Sequence, residues 1–178
     1  MMAVNQSDNT SRYPKRIPYG MMNFEAIIED DCYYVDKTYY IEQVERANKF
    51  FFYIRPRRFG KSLTISMLEH YYDINEADKF EKLYGKLYIG QHPTPERNKY
   101  LVIKLNFAVV NAELHDYKIG LDNHCSIAFN YFCDVYAQYL PVGIKEGMNK
   151  LDSAVSQLNY ICNECRKTGA KIYLFIDE

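Results

Sequence analysis

Three short, almost uninterrupted apolar runs constrain this chain most: FFFYI at 50–54, YLVIKLNF at 100–107 and KIYLFIDE at 171–178. Continuous apolar segments of strand length suit a sheet covered on both faces, whereas a sheet with one wet face shows alternation. The stretches between the runs carry apolar residues at three- and four-residue spacing. Strands alternating with helices predict an α/β domain with a mainly parallel sheet, whose ligands bind at the carboxyl ends of the strands. A length of 178 residues fits one such domain. At 48% hydrophobic and 25% charged, the chain falls outside collagen-like, low-complexity and wholly disordered classes.

Twenty-two basic and 23 acidic side chains leave a formal charge of -1, so no global field draws the protein to nucleic acid or membrane. The aromatic residues, 18 Tyr and 10 Phe with no Trp, read as core material. Five cysteines at irregular spacing, without an N-terminal apolar export segment, read as reduced thiols in a cytoplasmic protein. No apolar run approaches the roughly 20 residues that cross a bilayer.

Along the chain, residues 1–16 read as a flexible arm and 17–178 as the folded domain. Asn23 caps a short helix ended by the acidic run Glu29–Asp31, which reads as a solvated turn. The strand-like CYYVD leads to a second helix capped by Asp36 or Thr38, with Tyr40, Ile41, Val44 and Ala47 as its apolar stripe. After FFFYI and a basic loop, Ile65, Leu68 and Tyr72 mark a helix packed on a sheet. Sheet packing is also the stronger reading of Tyr71 and Tyr72, over stacking on a base. Two long helices are expected at Tyr117–Leu140 and Met148–Thr168. The second carries Leu151, Val155, Leu158, Cys162 and Cys165 on one face, and Gly169 stops it.

The segment that carries chemistry is RPRRFGKS, Arg55–Ser62, directly after the first apolar run. It matches the phosphate-loop pattern G-x-x-x-x-G-K-[ST] except for Arg55 at the first glycine position. Backbone NH groups must curl round a phosphate at a helix N-terminus, and Gly60 allows close approach without a Cβ. Lys61 reaches the outer phosphates, and the Ser62 hydroxyl suits Mg2+, an oxygen-seeking cation. A bare GK[ST] arises by chance in roughly one of ten chains of this length, so its strand–loop–helix context carries the weight. Pro56 has no NH to offer and Arg55 lacks the conformational freedom of glycine. Arg55, Arg57 and Arg58 add forked donors suited to phosphate oxygens, and equally to a phosphodiester or a solvated basic turn.

A second element supports the first. KIYLFIDE ends in two acids at the carboxyl end of a predicted strand, where Asp177 is placed to hold the metal through water and Glu178 to orient or deprotonate an attacking water. The alternative for these acids is a strand end made soluble by charge.

PYG with Phe24, YVDKT at 34–38, FYIRPRRFGKSLTISML, YLVIKLNF and IYLFIDE resemble, in this order, the bacterial AAA-ATPase-like proteins that commonly carry a C-terminal PD-(D/E)XK nuclease-like domain. The resemblance spans Ile17–Glu178, and within that group Arg55 in place of glycine looks normal. It implies a three-layer P-loop NTPase domain with ATP and Mg2+ as cofactors. Arg57, Arg58, Phe59, Gly60, Lys61, Ser62 and Leu63 would bind the nucleotide, Ser62 and Asp177 the metal, and Lys61 and Glu178 would act in catalysis. YVDKT looks like a family hallmark with a place beside the nucleotide or on the sheet edge. Asn106 stands where relatives often carry an acid. Further strands, a lid and the nuclease-like domain are expected beyond Glu178, so the chain reads as C-terminally truncated, with contacts to nucleic acid expected from that further region.

A competing reading is a non-catalytic module that binds nucleic acid or a partner protein through the arginine loop. A third, a zinc or thiol protein built on Cys162-x-x-Cys165, lacks a second pair at zinc spacing, and the two thiols read as core. His70, His92, His115 and His124 show no paired ligand spacing.

Overall fold

The computed structural model describes residues 14–47, 50, 52–54, 56, 58–107 and 117–177. The expected arm falls outside them up to residue 13, but Lys15 and Arg16 are already tied to the acidic turn through Asp31 and Asp30. Among the described residues the sheet has two strands, β1 (Tyr100–Asn106) and β2 (Lys171–Asp177). They run parallel with Tyr100 opposite Lys171 and Asn106 opposite Asp177.

The sheet separates two apolar clusters because successive side chains of a strand point to opposite faces. Leu101, Ile103 and Leu105 join one cluster with α6 (Tyr117–Val135), α7 (Ile144–Met148) and α8 (Ala154–Thr168). Val102 and Phe175 join the other, with α1 (Phe24–Glu29), α2 (Tyr40–Arg46), α3 (Lys61–Tyr72), α4 (Phe80–Tyr84) and α5 (Tyr88–Gln91). A 3-10 helix, Ile74–Lys79, links α3 to α4. The second cluster takes up part of the aromatic content, while Tyr33, Phe50, Phe52 and Tyr131, expected as core material, are exposed. Phe24 stacks on Tyr84, Tyr84 meets Tyr71, and Tyr72 stacks on Tyr173 at 4.7 Å and meets Tyr100 edge-on at 5.6 Å. Buried phenols need partners: Tyr84 donates to the Met67 carbonyl at 2.6 Å, and Tyr72 to Glu45 at 3.3 Å.

Asn23 caps α1 as expected, its Oδ1 accepting from the Ala26 amide at 3.0 Å. Residues 32–38 form no strand, and α2 opens without a side-chain cap. Asp36 and Thr38 serve a helix elsewhere. Asp36 Oδ1 accepts from the Thr38 amide and hydroxyl, its Oδ2 accepts from the Tyr88 amide at 2.7 Å, and Thr38 Oγ1 accepts from the Ile89 amide at 3.1 Å. The first two amides of α5 are thus capped from some fifty residues upstream, and Thr38 is fully buried in doing so. YVDKT is a clasp between α2 and α5.

Other expectations need correction. FFFYI forms no strand at its described residues: Phe50, Phe52 and Ile54 are 88%, 92% and 88% exposed. A strand exists only where a neighbour takes its ladder hydrogen bonds, and none of the described residues pairs with this segment. β2 is covered on one face alone towards its end, with Leu174 and Ile176 exposed. Helix α6 stops at Val135 and passes through turns before Pro141. The helix expected over Met148–Thr168 begins only at Ala154, where Ser153 caps its start by accepting from the Ser156 amide, and Met148 instead ends α7. On α8 the expected Leu158 and Cys165 pack on the core, Val155 is exposed, and Gln157 and Ile161 are buried beside them. Gly169 ends it in the left-handed region, at φ 76°.

Two tests follow from this packing. Thr38→Val strands the buried Ile89 amide and costs about 1–3 kcal/mol in urea unfolding, while Thr38→Ser stays near wild type. Burial also pushes the thiols of Cys133 and Cys165 up to about 11. In the folded protein at pH 8, iodoacetamide will therefore modify half-buried Cys162 well before either of them, and mass mapping of the alkylated peptides reads the order.

Candidate functional site

Helix α3 runs antiparallel to the strands. Its last residue, Tyr72, lies against Tyr100 and Tyr173 near the strand starts, and Glu69 pairs with Lys104 at 2.8 Å further along β1. From Tyr72 back to Lys61 is about 16 Å of helix, and β1 is about 20 Å long. The first turn of α3 therefore lies toward the carboxyl ends of the strands, where Asn106 and Asp177 stand in register.

Asp177 shares strand parity with Tyr173 and Phe175, so it lies on the α3 side of the sheet. It is 7% exposed, whereas Ile176 before it is 56% exposed. A carboxylate placed for solubility shows the reverse order, since charge is costly to withdraw from water and isoleucine is not.

The loop turns sharply before the helix. Arg58 and Gly60 both take positive φ, 66° and 76°, and the Phe59 amide donates to the Pro56 carbonyl at 3.3 Å. Gly60 is required for its φ: a Cβ there would meet nothing within 4 Å. The same open space leaves the backbone accessible. The Gly60 carbonyl accepts from the Thr64 amide and from the Thr64 hydroxyl, both at 2.9 Å, so the first turn is well formed. The helix opens without a side-chain cap, and the positive end of its dipole lies at the loop. Lys61, Ser62 and Leu63 are half-buried in this turn, Arg58 and Phe59 exposed. Arg55, Arg57 and Glu178 lie outside the described residues.

Sequence reading missed the supports of α3. Ser66 is buried on its inner face, and its Oγ accepts from the Phe24 amide at 3.0 Å, binding α1 to the loop helix. A polar residue in the core-facing part of a helix was the signal for it. Among the described residues, YVDKT bonds to the start of α5 through Asp36 and Thr38. Among the described residues, a cavity of about 250 Å³ lies by Lys99, Tyr139 and Lys171, and another of about 540 Å³ between α2 and residues 92–95. Among the described residues no helix is long and apolar enough to cross a membrane.

No solved structure matches this chain. A protein of Azotobacter chroococcum mcd 1, described as an uncharacterized protein in the vnfD 5'region, is 44% identical over 63 residues, a stretch covering 35% of this chain and 12% of that protein. The family described as predicted AAA-ATPase matches residues 18–178, nearly all of the described structure, and the chain belongs to that AAA-ATPase-like family.

Proposed function

We propose that this is an ATP-binding domain of the three-layer P-loop type, hydrolysing ATP with Mg2+ in the protein to which it contributes. The observation that carries the proposal is the buried carboxylate of Asp177 at the strand end toward which the loop helix points, beside an exposed isoleucine. Family membership supports the nucleotide, and the unpaired cysteines agree with a cytoplasmic setting.

In this reading the opening amides of α3 and the Lys61 ammonium hold the phosphates, with Arg57 and Arg58 adding charge at the mouth. Gly60 leaves room for the phosphates against the backbone, and Phe59 and Leu63 flank the turn. The donor set of Ser62 hydroxyl and Asp177 carboxylate fits a hard cation that prefers oxygen. Magnesium, when bound, supplies positive charge where the leaving phosphate gains negative charge. Glu178 orients the attacking water and accepts its proton. The Glu69–Lys104 pair and the Ser66–Phe24 bond hold α3 in place without touching the nucleotide.

Titration calorimetry with Mg-ATP tests this. Lys61→Ala should weaken binding by about 10- to 100-fold, as a hydrogen bond to a charged group is worth about 1.5–3 kcal/mol. Asp177→Asn should remove the dependence of affinity on Mg2+ and leave the weaker metal-free binding, with circular dichroism as the check on folding. Wild-type affinity in Lys61→Ala, or binding of an oligonucleotide that ATP does not displace, overturns the reading.

A further inference from the structure

The outer face of α6 departs from the polar surface usual for such a helix. Ile127 and Tyr131, one turn apart, are 72% and 71% exposed, while Cys125, Phe129, Phe132 and Cys133 take the opposite, buried face. An apolar pair on the solvent side of a well-packed helix contributes nothing to the fold that displays it.

The residues around this pair indicate what covers it. His124 lies three positions before Ile127, and Asp134 three positions after Tyr131, all four within one strip of the helix surface. The spacing, three–four–three, is symmetric about the midpoint of Ile127 and Tyr131, but the chemistry is not: one end is an imidazole, the other a carboxylate. A second copy laid antiparallel across this face sets Ile127 against Tyr131 and each His124 near the opposite Asp134. Apolar groups then meet in the centre, with two unlike polar pairs at the ends, as a two-fold interface requires. Asp134 already accepts from Lys145 at 2.6 and 2.7 Å, yet its side chain is 62% exposed, and a carboxylate has room for a further donor.

We propose that α6 is a self-association surface through which two copies of this chain pair antiparallel. This rests on observations separate from the nucleotide site, and either reading can fail alone. A single pair of helices covers less than the roughly 1,200 Å² of a stable interface, so the dimer is weak and reversible.

Sedimentation equilibrium from about 10 µM to 1 mM tests the proposal. The average mass should rise with concentration from 21.1 kDa toward twice that value. Tyr131→Glu should raise the dissociation constant at least about tenfold by removing the central aromatic contact. Asp134→Lys should weaken pairing too, and the double variant His124→Asp/Asp134→Lys should restore it by exchanging the ends. All of these residues face solvent or are half-buried, so circular dichroism should be unchanged. A mass fixed at the monomer value throughout overturns the proposal. So does association that is indifferent to Tyr131→Glu, or a charge exchange that fails to restore pairing.

Discussion

The stack of Tyr72 on Tyr173, with Tyr100 against its edge, sets the geometry on which the domain depends. It fixes the end of α3 over the beginnings of both strands, so the first turn of that helix can lie only toward their other ends. Everything proposed for the loop follows from this single orientation. The phenol above the stack donates to Glu45, which also accepts from Thr94, so the joint between helix and sheet is closed by polar contacts as well as by ring packing. Burial and the nearby carboxylate together raise the Tyr72 phenol far above its ordinary range, so it stays a donor at any working pH.

Local features were legible in the residues and distant ones were not. The starts of β1 and β2, the helix after the basic loop, the Asn23 cap and the Gly169 stop all depend on side chains a few positions apart, and the structure has them as expected. FFFYI misled because its composition is that of a strand while strandedness is a property of a pair. On α8 the expected face held at Leu158 and Cys165 but missed Gln157, which counts as polar in a periodicity although its amide donates to the Leu151 carbonyl. Of the proposed site, the tripeptide Gly60, Lys61 and Ser62 can be read from spacing and Asp177 from its place after an apolar run. That the aspartate is buried and the isoleucine exposed cannot, because the choice of covered face depends on what packs on the sheet.

With a net charge of -1, electrostatics here are local. The network of His70, Glu76, Lys79 and Glu25 joins α1 and α3 to the 3-10 helix, and Lys171 and Tyr100 share Glu96 at the opposite end of the sheet from the loop. Such pairs, mostly half exposed, add little energy each. Their value is in holding separate segments of chain in register around the aromatic seam.

The clasp from Asp36 and Thr38 has a kinetic consequence. Helix α5 is four residues long, far too short to persist unaided, and both of its opening amides wait for acceptors that lie some fifty positions away. It cannot nucleate assembly. Those amides find their acceptors only when Asp36 and Thr38 are brought beside them, so forming α5 carries the closure entropy of a loop of some fifty residues.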